Sequence, residues 1–288
     1  MRKLAVGFLI LFATGLLAPM ALAGSITLFS TGNPDGRIAT LSRPAGPGLL
    51  ETETADDFIL GSNAMISGAT FIGLLPTGAS LSSIQDVEIE LYHVFPVDSG
   101  PFDGTVPTRV NSPSDTNFGP SFDFGACTSP SNCTASILSP TFTASNSVVN
   151  GIHPSPNQTT GGEGAVTGEE VLFSITFSTP ILVGAADHDF FRPEVGLSSG
   201  NFLWLSAPKP IVSPGTPFNP DLQAWIRNDG TGSINPDWLR IGTDIIGGLP
   251  APTYNMTFSL TGTVIPEPSS VVLLGLGLAG LAWRRLRP

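Results

Sequence analysis

Met256-Thr-Phe-Ser-Leu-Thr-Gly-Thr-Val264 alternates apolar with hydroxyl-bearing side chains. In an extended chain a period of two puts Met256, Phe258, Leu260 and Val264 on one face and Thr257, Ser259, Thr261 and Thr263 on the other. Such a segment is a strand half buried against a core. The same reading applies to Glu170–Phe177, with Val171, Phe173, Ile175 and Phe177 inward and Ser174 and Thr176 outward. It applies again to Asp86–Phe95, where Val87, Ile89 and Leu91 share one face and Glu88, Glu90 and Tyr92 the other. Shorter strand candidates are 25–30, 55–60, 64–74, 181–183 and 201–205. Gln223–Arg227 and Asp237–Ile241 fit a short helix or a strand equally. The intervening stretches 96–120, 150–168 and 207–220 are rich in Pro and Gly and cannot be helices. Many short strands joined by such loops predict an all-β body, a β-sandwich or jelly roll.

The two chain ends stand apart from this pattern. Arg2 and Lys3 precede an apolar run from Leu4 to Leu17, Pro19 breaks it, and Ala21-Leu22-Ala23 offers small residues at the peptidase positions. This predicts a secretory signal peptide over 1–23, and hence a passenger body over 24–264 followed by a terminal segment over 265–288.

The whole chain holds 12 basic and 23 acidic residues. The ends take Arg2, Lys3, Arg284, Arg285 and Arg287 against one acid, Glu267, so the body is more acidic than the chain as a whole. It repels phosphate backbones, which excludes nucleic acid as a partner. Carboxylates on an exported domain also suit a hard cation. Asp56-Asp57, at a strand start, is the candidate calcium pair, set against a plain solvated turn. Cys127 and Cys133 are the only cysteines. In an oxidising compartment two cysteines this close form a structural disulfide.

Ile265-Pro-Glu-Pro-Ser-Ser leads into an apolar run from Val271 to Trp283, closed by Arg284, Arg285 and Arg287. At ~1.5 Å per residue the run covers about 20 Å, short of a ~30 Å hydrocarbon core. Counting from about residue 270 and letting the arginines snorkel brings it closer to a single transmembrane helix over 270–283. The basic cluster stops it on the cytoplasmic side, leaving the body outside.

This three-part tail resembles the PEP-CTERM sorting signal of Gram-negative bacteria. The resemblance rests on Pro266, Glu267 and Pro268, the run Val271–Trp283, and Arg284, Arg285 and Arg287. It implies that exosortase, an integral-membrane cysteine transpeptidase, recognises the tripeptide. It also implies anchoring in the inner membrane with a periplasmic body, release or transfer to the surface or matrix, and a link to exopolysaccharide and biofilm. Thr54–Leu60 followed by Gly68–Ile72, and Asn201–Ile211, are similar to stretches in other PEP-CTERM passengers, which bears on the fold alone.

Within the body few residues suggest chemistry. Asp187-His188-Asp189 combines acid and base, but on a strand His188 points away from the two aspartates. Trp204, Trp225 and Trp238 would make a glycan-stacking platform if exposed and coplanar, and core residues if buried. No nucleophile elbow, phosphate loop or zinc-protease motif occurs. The expectation is therefore a non-enzymatic exported surface or matrix protein with no catalytic residues. A carbohydrate-binding module is the alternative, and a glycan hydrolase built on paired carboxylates is more remote.

Overall fold

Strands dominate the computed structural model, which describes residues 24–95, 110–127, 132–150, 152, 159–229, 238–265 and 275–280. In chain order the first half gives β1 (Ile26–Ser30), β2 (Ile38–Leu41), β3 (Glu51–Ile59), β4 (Ala64–Pro76), β5 (Ile84–Val94), β6 (Pro113–Asn117), β7 (Phe122–Asp123) and β8 (Cys133–Ala144). The second half gives β9 (Asn146–Val148), β10 (Val166–Val183), β11 (His188–Leu197), β12 (Leu203–Ala207), β13 (Trp225–Asp229), β14 (Leu239–Arg240), β15 (Asn255–Met256) and β16 (Phe258–Val264).

These strands form two sheets. The larger runs β1-β16-β4-β12-β2-β9, with β10 bridging β4 to β8 and β15 added to β12. The smaller runs β14-β13-β3-β11-β5-β6, with β7 also on β5. Pairing is antiparallel except between β2 and β9. The expected sandwich is thus present. The alternating residues of the three decisive segments fill its centre: Phe258, Leu260, Val171, Phe173, Val87 and Ile89 are all buried. Phenylalanines knit the two layers. Phe191 from the smaller sheet stacks on Phe258 of the larger at 5.0 Å and lies 6.3 Å from Phe71, which itself stacks on its neighbour Phe173 within the larger sheet at 4.7 Å. Gly73 leaves the space for a further ring, since a Cβ there would lie 2.2 Å from Phe202.

The first and last strands close the larger sheet. Ile26 pairs with Gly262 and Ser30 with Ser259, so the start of the body and its exit lie side by side. Val264 departs from the expected inward face and is 40% exposed. A register shift between Thr261 and Gly262 interrupts the alternation just before it. The amide of Ile265 still donates to Asn63 O at 2.7 Å, which fixes where the chain leaves the sheet.

Other boundaries moved. Gln223–Arg227 resolves into β13, and the stretch around Leu239 into the two-residue β14. The strand β6 lies within the stretch read as loop. The strand β8 escaped notice because it is largely exposed and rich in Ser and Thr, with no apolar alternation to mark it. Signal residues 1–23 and the Pro-Glu-Pro tripeptide lie outside the described residues. Of the expected transmembrane helix only 275–280 is described, as helix. At ~1.5 Å per residue that stretch is about 9 Å long. Among the described residues no helix is long and apolar enough to cross a membrane. The structure therefore does not support that part of the expectation.

Candidate functional site

The outer face of the smaller sheet carries a dense group of charged side chains. Strands β3, β11 and β5 lie adjacent, and their even or odd positions place Glu51 and Glu53, Arg192 and Glu194, and Glu88, Glu90 and Tyr92 on the same side. Arg192 sits at the centre, buried. Its Nε is 3.0 Å from Glu53 and its two terminal nitrogens contact Glu90 and Glu194, with Glu51 at 3.8 Å. Arg227 on β13 contacts the other oxygen of Glu53. The Tyr92 hydroxyl donates to Glu90 at 2.6 Å and lies 3.0 Å from Glu53. Arg227 also lies over the Trp238 ring at 4.6 Å.

Two guanidiniums do not neutralise all these acids, and their proton affinities diverge. Burial alone would raise the pKa of Glu90, but Arg192 and the Tyr92 hydroxyl hold it below the usual carboxylate range. Burial pushes Glu194 well above that range despite Arg192, and Glu53 and Glu51 push it further. Burial would weaken the Arg192 charge, yet Glu53 and Glu194 fix it more firmly than in water.

Two further acidic groups flank this network along β11. Near its start, Asp57 accepts from Leu222 N at 3.0 Å and lies 2.7 Å from His188 Nε2. Asp56, the next residue on β3, points to the other side and accepts from Met256 N at 2.7 Å. The proposed calcium pair is therefore not brought together. The cation beside it belongs to the chain: Lys209 Nζ donates to Asn255 Oδ1 at 2.8 Å and Asp221 O at 3.2 Å, and contacts Asp221 Oδ1 and Leu222 O. Burial, then the Asp57 charge, raises the Asp56 pKa well above normal, and Lys209 pulls it down.

Near the end of β11, Glu88 pairs across the strands with both Glu194 and Asp123. Asp86 joins them from the same face of β5. The ligand oxygens of Asp86, Glu88 and Asp123 lie within 4.8 Å of one another. Burial, aided by the neighbouring Asp123, raises Asp86 to about 6.

The remaining predicted residues are placed as follows. Cys127 and Cys133 are disulfide-bonded, with Cα atoms 4.9 Å apart, joining the loop after β7 to the start of β8. Trp204 lies in the sandwich core, while Trp225 and Trp238 lie in a small cluster with Tyr92 and Phe190. All three are at most 3% exposed. They form no exposed platform, because each ring is consumed in packing. His188 and Asp189 part as strand alternation requires: His188 goes to Asp57, and Asp189 takes a different histidine, His93, at 2.6 Å. Asp187 closes a turn by accepting from Gly184 N. Sequence reading missed Arg192, Glu53, Glu194, Arg227 and Lys209. A signal existed in Glu51-x-Glu53, Glu88-x-Glu90 and Arg192-x-Glu194, since charges spaced by two in a chain only 12% charged mark one face of a sheet.

Comparison with known proteins bears on the tail. No curated protein and no solved structure matches the chain. A family model, the PEP-CTERM protein-sorting motif, matches residues 264–287 and begins on the last residue of β16. That span holds Pro266, Glu267 and Pro268, the apolar run and Arg284, Arg285 and Arg287, all but 275–280 of it outside the described residues beyond Ile265. The chain is therefore an exported protein that carries a C-terminal PEP-CTERM motif and is processed by exosortase at a membrane.

Proposed function

We propose that this chain is a non-enzymatic surface or matrix protein whose sandwich is delivered by its tail and then associates with exopolysaccharide. The observation that carries the reading is the junction. The sandwich is complete at Val264, its first and last strands are paired, and the sorting motif starts at that same residue. A processing enzyme can remove the tail without taking any strand from the fold. The apolar run with its basic cluster acts as the stop in the inner membrane, short as it is, and holds the body on the periplasmic side until processing. The carboxylates on the smaller sheet support a non-catalytic reading, because Arg192, Arg227 and Tyr92 already engage Glu53 and Glu90 in a buried layer.

Cell fractionation of a chain lacking residues 271–288 tests delivery. The expected outcome is loss of the membrane-bound precursor, with the body released into the periplasm. An unchanged membrane fraction contradicts the proposal. Co-sedimentation of the purified body with the producing cell's own extracellular polymer tests the matrix role, and a body left wholly in the supernatant contradicts it.

A further inference from the structure

We infer that the folded protein joins Lys209 to Asn255 through an amide bond between their side chains, with Asp221 carrying the protons. The three groups already touch. Lys209 Nζ donates to Asn255 Oδ1 at 2.8 Å and contacts Asp221 Oδ1. Asn255 Nδ2 donates in turn to Asp221 Oδ2 at 3.3 Å. One carboxylate therefore bridges the amine and the nitrogen that must leave when that amine attacks the carboxamide carbon. The condensation is negligible between free side chains in water. It becomes feasible when nucleophile, electrophile and proton carrier are held in one site.

The surroundings favour the step. Asn255 is buried and lies across from Ala207 in the β12–β15 pair, and Ala207 is two residues before Lys209. The carbonyls of Asp221 and Leu222 complete the cage; they orient the nitrogen but take no proton. Asp56 does not act as a second anion there. Burial, then the Asp57 charge, raises its pKa well above normal, so it stands beside Lys209 as a neutral acid. A cavity of about 300 Å³ has Lys209 and Asp221 in its wall and gives the leaving nitrogen a place to go.

The step balances without an oxidant or reductant. Nζ loses a first proton to Asp221, and its lone pair forms the Nζ–Cγ bond. The Cγ–Nδ2 bond then breaks. The leaving nitrogen takes up the two protons that Nζ sheds and departs as ammonium, and Asp221 ends as it began. The caged ammonium of Lys209 is thus the reactant state, in which the cage alone contributes. The bond adds to it by closing the 46 positions between the two residues. That stretch leaves the larger sheet, supplies β13 and β14 to the smaller one and returns at β15. The link pins the base of this excursion. A step the chain performs once on itself leaves the non-enzymatic reading intact.

The test is mass spectrometry of peptides cut from the denatured exported protein. A branched peptide is expected, carrying Lys209 and Asn255 together and lighter than its two parts by one ammonia. Lys209→Met should give linear peptides only. Asp221→Ala, sampled at successive times after synthesis, should form the link ~10²-fold more slowly, the scale of a lost acid–base group. If either variant fails to fold, the wild-type peptide decides alone. Linear peptides with Lys209 and Asn255 both unmodified would overturn the inference. So would a loss of water that joins Lys209 to Asp221, or a link that forms as fast in Asp221→Ala.

Discussion

At the start of β11 one lysine is caged beside a pair of acids; at the end of the same strand the acids are answered by arginines and by one another. Lys209 reaches into a cage of two carbonyls, an amide and a carboxylate beside Asp56 and Asp57. Glu194 is met by Arg192 and faces Arg43, while Glu88 hydrogen-bonds Glu194 and Asp86 hydrogen-bonds Asp123. The difference teaches that a count of carboxylates does not locate a metal. What matters is whether backbone amides and basic side chains have already answered the negative charge. Asp56 and Asp57 attract notice in the sequence because they are adjacent, yet adjacency on a strand sends them to opposite faces. Glu194 and Asp123 are far apart in sequence, and only strand register brings both to Glu88.

Removing the centre of the network should have the largest effect. Arg192→Ala leaves Glu53, Glu90 and Glu194 buried without their common partner and should cost about 3–5 kcal/mol in urea unfolding. A cost under about 1 kcal/mol would show that the face is solvated and the comparison empty. Lys209→Met keeps the apolar stem and removes the ammonium. Because Lys209 is partly exposed, a smaller loss of about 2–3 kcal/mol is expected. Equal losses in the two variants would erase the distinction between the sites.

Proton linkage gives a third test, at the start of β11. Burial raises Asp189 to about 6, with His93 holding it lower than burial alone would. An acid whose folded pKa exceeds its unfolded value of ~3.9 binds protons more tightly when folded. Its contribution to stability is therefore greatest below pH ~4 and declines as pH rises toward about 6, by roughly 2–3 kcal/mol. Asp189→Asn should remove that part of the slope in denaturation measured between those pH values. An identical slope in the variant would refute the assignment. The smallest effect is expected at the clip. Cys127→Ser with Cys133→Ser frees the loop that follows Asp123 and should cost about 2 kcal/mol. It should leave the Lys209 cage untouched.

The sandwich was legible wherever one side of a strand is apolar, as at Val171, Phe173 and Ile175. It was illegible at β8, an exposed strand whose Ser and Thr residues leave no contrast between faces. The tail was legible because its three parts are contiguous. The buried ion network was half legible: Glu88, Glu90 and Tyr92 were placed on one face, but a polar face reads as solvent-facing until Arg192 and Arg227 arrive from other strands. The tryptophans show the converse. Their number and spacing carry no information about exposure, and packing against Phe191 and Phe258 or against Tyr92 absorbed them.

The whole account stands on a body exported at one end and sorted at the other. Intact-mass measurement of the protein recovered from the cell surface or the surrounding matrix tests this most directly. The predicted mass is that of a chain beginning at Gly24 and ending near Pro266-Glu267-Pro268, without the apolar run. A recovered chain that still extends from Met1 to Pro288 would contradict it.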